Sequence, residues 1–479
     1  MTSKKKKKGK FILFLESYFI FVLIFIFGCL YTYVGITKYL HYETGLDIAI
    51  YVQTMWFYTH FKLPYVTLFP TYGDLVWADH FTPSLMLLAP FYMLWKDPRM
   101  LIILQAFIFV FGAFPIYKYA KEKIKSNFFA LSLAFVFLTY FGTQFPLTFD
   151  FHAGTMAAAF MAWILWAMVT NKWKTFIILC IIAAGVKEDM PLYLATIALY
   201  LVVSKRNWKL GLIMLPLFLG YAYVVTEKVM PHLAHDAAKV FSLSYFNLSP
   251  DYLLSVFFDS PVKIRTMLLS FSNLLFLPFL SRTFLLLPLA HFFINFSNPD
   301  FPGRWDIYLH YRGYSAAMML FATILGYLYL MKKKPKLFDT TRAKKIVAIL
   351  LIINALVFAY FLHLPLNVLS KKQFYHQESW IHDNDEVIKK IPADAYLLTL
   401  NNLAPQTAFR EHIYYYPQNI EKAEYVFIDT RLDQPIINYW ITADNKEEYA
   451  SRIETVLKSN DFKIIYQRDN AVLLKRMNL

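Results

Sequence analysis

Four short groups of ionisable side chains could do chemistry in this chain. They are His41, Glu43 and Asp47; Asp79 and His80; Asp150 and His152; and Lys187, Glu188 and Asp189. A carboxylate within hydrogen-bond reach of a hydroxyl can act as a general base, and buried cations can steady a phosphate leaving group. Each group has a plainer reading, as a helix cap, a hydrogen-bonded histidine or a simple ion pair. Their placement argues for more. Several lie at the ends of apolar runs, where a charge is costly to desolvate and function is the default hypothesis.

The elements that must position these groups are apolar helices. The chain has 479 residues, of which 58% are hydrophobic and 17% charged. Soluble domains are about 45–50% apolar and about 25% charged. A mean hydropathy of +0.40 points instead to a polytopic membrane protein. About eleven runs approach the roughly 20 residues a spanning helix needs: 11–37, 99–117, 127–145, 155–170, 175–186, 190–203, 210–226, 266–280, 283–297, 314–331 and 346–364. The first is too long for a signal peptide and reads as a retained helix. The pair 175–186 and 190–203 is read as two segments broken at Lys187–Asp189. Cys29 and Cys180 both lie in apolar runs and suggest no disulfide.

With Met1–Lys10 inside, the loops 118–125, 171–174, 204–209 and 332–345 fall on the cytoplasmic side and are dense in lysine and arginine, as the positive-inside rule requires. The net charge of +15 is therefore an orientation signal and not a sign of a nucleic-acid partner. Most carboxylates of residues 1–365 fall on the other side, among them Asp74, Asp236, Asp300 and Asp306. We divide the chain into a transmembrane domain, 1–365, with outer loops 38–98 and 227–265, and a small α/β domain, 366–479. In that tail, strands are expected at 396–400 and 424–429, a helix at 445–458, and a hairpin joining 462–467 to 471–475. Helix eleven ends outside, so the tail is expected outside the cytoplasm, at the cell (plasma) membrane.

The order Asp47, Tyr51, Gln53 and Trp56; His80 and Pro83; Tyr92 and Gln105; Tyr117; Phe151 and His152; and Lys187-Glu188-Asp189 resembles the predicted membrane-protein family called domain of unknown function 2079. Ile391–Asp394, Arg410 and Phe427–Asp429 fit its soluble end. The resemblance covers nearly the whole chain. It implies the fold of GT-C glycosyltransferases, which transfer a sugar from a polyprenyl-phosphate carrier outside the cytoplasm. It further implies an acidic base in the first outer loop, which Asp47 matches by position, with Glu43 as runner-up. The loop contains no Asp-x-Asp pattern, which several GT-C enzymes show. Lys187, Arg304, His310 and Arg312 are nominated for the phosphate. Gln53, Trp56, His80, Asp150, His152, Glu188 and Asp189 are nominated for substrate, and Asp150 and His152 also for a Mg²⁺ or Mn²⁺ ion, which oxygen ligands with an imidazole suit. The implied partners are membrane lipids, the polyprenyl-phosphate sugar and an extracytoplasmic acceptor. Two other readings compete: a lipid or solute transporter, and a scaffold acting through its C-terminal domain.

Overall fold

The computed structural model describes residues 2–68, 75–234, 242–247, 249–435 and 445–477, with side chains from residue 18 onward. Asp74, Asp236 and Lys239 lie outside the described residues. Six helices are long and apolar enough to cross a membrane: Tyr18–Leu40, Arg99–Ile124, Trp208–Leu233, Leu277–Phe296, Pro302–Lys333 and Thr341–Phe361. Asn127–Thr139 and Phe141–Phe149, bent by 42°, make a seventh when taken as one span.

By length and composition six or seven helices qualify as spans among the described residues, and the remaining expected runs form shorter or interrupted helices. Ala153–Val169, Trp173–Ala184 and Met190–Val203 are helices of 17, 12 and 14 residues. At 1.5 Å per residue they reach roughly 18–26 Å, short of the ~30 Å hydrocarbon core. The expected 266–280 span straddles a turn. Helix Pro261–Ser272 ends there, and Leu275 and Phe276 take φ of 55° and 56°. Lys187–Asp189 does separate two helices, as the charges suggested.

The apolar runs also differ in what they face. Ala153–Val169 is buried along almost its whole length, and its small Ala157, Ala158 and Ala159 let neighbouring helices approach closely. Thr341–Phe361 instead exposes Ile349, Ile353, Leu356 and Phe361, the dress of a lipid-facing helix. Side-chain caps fix several starts: Ser126 accepts from the Phe129 N–H, His152 from Gly154 and Asn207 from Leu210.

The tail forms a five-stranded sheet: β1 (Leu397–Thr399), β2 (Ile413–Tyr415), β3 (Tyr425–Asp429), β4 (Phe462–Arg468) and β5 (Ala471–Arg476), in the order β2-β1-β3-β5-β4. β1 runs parallel to β2 and β3, whereas β5 is antiparallel to β3 and β4. All five residues of central β3 are buried, as a strand covered on both faces must be. The expected strands, hairpin and helix (Lys446–Leu457) are present. β2 and the helix Ser379–Ile388 are additions.

This sheet docks on Leu46–Thr59, the helix that follows the first span. The Leu46 N–H donates to Asn401 Oδ1 at 2.7 Å, Gln53 Nε2 to the Glu411 carbonyl at 2.8 Å, and the Ile413 N–H to Thr67 Oγ1 at 3.0 Å. Tyr42 adds a hydroxyl bond to Asp385 at 2.7 Å.

Candidate functional site

Helix Leu46–Thr59 begins at Leu46 with Gly45 as its cap. It does not include Glu43, so Glu43 and Asp47 share no helical face. Asp47 sits in the first turn, where the helix dipole favours a negative charge. Glu43 precedes the helix and is exposed. Both line a cavity of about 760 Å³ together with Lys38, His41 and Asp150, and with Trp380, Asn401, Asp433 and Gln434 from the tail.

Asp150 ends helix Phe141–Phe149. Its carboxylate accepts from the Gly45 N–H at 3.1 Å and the Phe151 N–H at 2.9 Å. One helix end is thereby tied to the loop that presents Asp47. Burial first, and Asp47 second, push the Asp150 carboxyl up to about 8, against those backbone donors and Lys38. Asp47 itself is pushed up to about 6, chiefly by burial, with His80 and Lys187 pulling down and Asp79 pushing up. The charge of Asp47 thus disfavours a second negative charge on Asp150. Near neutrality Asp47 is the ionised partner.

Asp47 is coupled electrostatically to a buried polar cluster that includes Asp79, His80 and Lys187. His80 Nδ1 is 3.1 Å from Glu188 Oε1, and its Nε2 is 3.9 Å from Asp79 Oδ2. Burial alone would lower the His80 pKa. Asp79 and Glu188 outweigh it and raise the value to about 9, so the ring is an imidazolium at neutral pH. Burial likewise pushes Glu188 up, but His80 and Lys187 hold it below the ordinary carboxylate range. His80 and His152 meet edge-on at 5.5 Å, and His152 stacks on His310 at 3.8 Å. Gln105 orients this part by accepting from the His152 N–H at 2.9 Å and donating to the Asp150 carbonyl at 3.0 Å.

The nominated cations gather beside the imidazoles. A Cβ on Gly154 would lie 3.3 Å from Lys187 Nζ, 3.2 Å from His152 Nδ1 and 3.6 Å from His310 Cδ2. Glycine keeps that space open. Lys187 and Arg304 approach the Tyr311 ring at 5.9 and 4.7 Å. Lys187 is 4.0 Å from Asp189, which accepts from Tyr314 Oη at 2.9 Å. Both His310 ring nitrogens are buried without a hydrogen-bond partner among the described residues. Arg312 is fully buried, donates to the Arg304 carbonyl and packs at 5.8 Å over Phe292 and Phe296.

The structure brings Asp47, His80, Asp150, His152, Lys187, Glu188, Asp189, Arg304 and His310 into one region. Gln53 and Trp56 are not among them. The Gln53 amide is spent on Thr67 and Glu411, and Trp56 stacks on His60 at 4.2 Å. The metal pairing of Asp150 with His152 does not fit either. Both Asp150 oxygens accept backbone N–H groups and His152 Nδ1 accepts from Gly154 at 3.0 Å. Among the described residues no group of three His, Cys, Asp or Glu side chains could hold an ion.

Several lining residues escaped the sequence reading. Lys38 closes the first span and donates to the Thr148 carbonyl at 2.7 Å. Its position at the end of an apolar run was the available signal. Trp380, Asn401 and Gln434 had none.

The family described as predicted membrane protein, domain of unknown function 2079, matches residues 38–473. The chain belongs to this family. No curated protein sequence matches it significantly. Among solved structures, ArnT from Cupriavidus metallidurans bound to undecaprenyl phosphate is similar, with a TM-score of 0.55 at 10% identity over 96% of this chain and 98% of that one. The apo state of the same protein gives 0.49 at 10% identity, covering 98% of each chain. At such identity the likeness establishes the fold alone. The family member described here is thus a mostly helical, ArnT-like membrane protein with a small C-terminal sheet.

Proposed function

We propose that this protein is a GT-C-type glycosyltransferase that moves a sugar from a polyprenyl-phosphate carrier to an acceptor hydroxyl. One observation carries the reading: Asp47 lines an open cavity of about 760 Å³ and also feels the charges of His80 and Lys187. The acceptor enters the cavity and gives its hydroxyl proton to Asp47. Its oxygen bonds to the anomeric carbon as the bond from that carbon to the carrier phosphate breaks, with inversion. Lys187, Arg304 and His310 hold the departing phosphate, where preorganised charge is most effective. His80, Asp150, His152, Glu188 and Asp189 position the sugar and set the charge around it. Glu43, at the exposed rim, is a second contact for the acceptor. Likeness in fold to a protein crystallised with undecaprenyl phosphate supports a carrier of this class. In this reading the site and the tail 366–479 face away from the cytoplasm, opposite the lysine-rich loops.

Binding of undecaprenyl phosphate in detergent tests the carrier directly. At a hundredfold excess over Kd a ligand stabilises its protein by about 2.7 kcal/mol, so Tm should rise by several degrees, and by much less in Lys187→Gln. An equal response to phosphatidylcholine contradicts the reading.

The rate should follow Asp47. With its pKa near 6, transfer rises with pH through about 6 as the base loses its proton. It declines above about 9, where His80 loses its own. Asp150→Asn should keep the acidic limb, because an amide resembles the carboxyl that is already neutral there. Initial rates between pH 5 and 10 check both limbs.

A further inference from the structure

The opposite end of the bundle carries a second built pocket, independent of the sugar-transfer reading. Helices Ala153–Val169 and Met190–Val203 start beside His152 and Asp189 in the site described above and run away from it. At about 1.5 Å per residue they end some 20–25 Å further on, in Thr170 and Ser204. There the ends of three helices enclose a pocket of about 530 Å³ lined by Lys118, Lys123, Trp166, Lys172 and Arg206, with Glu122 the one acid. Lys118 and Lys172 both lie over the Trp166 ring, at 5.3 and 4.5 Å. Arg206 donates to the Met168 and Val169 carbonyls and so closes the end of helix Ala153–Val169. Glu122 is paired with Lys123 at 2.7 Å. Lys118 and Lys172 form no ion pair among the described residues.

The positive-inside rule explains why basic residues collect at this end. It does not explain why loops remote in sequence close on one buried tryptophan around a concavity with surplus positive charge. Alongside the pocket, Met190–Val203 exposes Leu199 and Val203, and the next helix exposes Leu212 and Ile213. Acyl chains can lie along that surface. A phosphate at the membrane boundary with acyl chains beside it is the chemistry of a phospholipid, and basic pockets between helices on this side suit anionic headgroups.

We propose that this pocket binds the phosphate-bearing headgroup of an anionic phospholipid, with Lys118 and Lys172 as the headgroup cations and Trp166 as the floor. The test is Tm of the full chain in detergent with added phosphatidylglycerol, phosphatidylcholine or inorganic phosphate. Phosphatidylglycerol alone should raise Tm. At about fivefold per lysine, the Lys118→Gln/Lys172→Gln double variant should bind it roughly thirtyfold more weakly. Lys333→Gln/Lys334→Gln removes the same charge from the same end and should bind as the wild type does. An equal shift with phosphatidylcholine, a shift reproduced by inorganic phosphate alone, or equal losses in the two double variants overturns the proposal.

Discussion

Asp47→Asn is expected to lower sugar transfer by about 10²–10⁴-fold, the usual contribution of a general base, with no fall in Tm. The second half of that expectation separates a base from a structural residue. The Asp47 carboxyl has its pKa raised from 3.8 to about 6 by burial, so the folded state disfavours its charge. A raised carboxylate pKa costs stability as pH climbs from about 4 to about 6, and the neutral amide escapes that cost. The variant should therefore be as stable as the wild type at pH 4 and at least as stable at pH 7. Thermal unfolding at both pH values, beside the transfer rate, checks the pair of expectations. A variant that loses activity and Tm together marks Asp47 as a structural residue.

Lys187→Met is expected to be the most damaging single change, losing both transfer and about 3–5 kcal/mol of stability. Lys187 is 1% exposed, and Glu188 and Asp189 beside it are 1% and 4% exposed. Removing one partner of a buried ionic group leaves the others uncompensated. Glu188, which burial pushes up, is held low by His80 and Lys187 together. A depressed carboxylate pKa contributes stability above its unfolded value and loses it as pH falls through the folded one. The gap between wild type and variant should accordingly be wide at pH 7 and narrow at about pH 2, where the folded-state carboxyl takes up its proton. Denaturant midpoints at the two pH values measure it. A gap independent of pH would show that Lys187 acts through packing and not through its charge.

How much of this was legible depended on whether the signal was local. Asp150, His152 and Lys187–Asp189 could be picked out because each is an ionisable group at the end of an apolar run, and Asp47 and His80 because they fall in the outer loop on the same side. Helix ends on one side of a bundle meet. The lysine-rich loops were legible for the same reason, and Lys118, Lys172 and Arg206 do share one pocket. The surroundings of each run were not. Ala153–Val169 is packed against protein on nearly every side, and hydropathy does not distinguish a protein neighbour from a lipid one. The turn at Leu275 and Phe276 carries neither glycine nor proline at the positive-φ positions. Gln53 and Trp56 shared a helix with Asp47 but serve the tail contact and a local stack. Asn401, hydrogen-bonded to Leu46 from 355 positions away, leaves no trace in any window of sequence. The same contact weakens the transporter and scaffold readings, since it puts the tail on the wall of the cavity that holds Asp47.

The central claim is that Asp47 drives sugar transfer from a polyprenyl phosphate, and one measurement addresses it most directly. Purified wild type and Asp47→Asn are incubated with a panel of radiolabelled polyprenyl-phosphate sugars, and release of the free carrier phosphate is followed. The account predicts release by the wild type with at least one donor, rising with pH through about 6 as the Asp47 proton leaves, and essentially none by the variant. Release at equal rates by both proteins, or by neither with any donor, would contradict it.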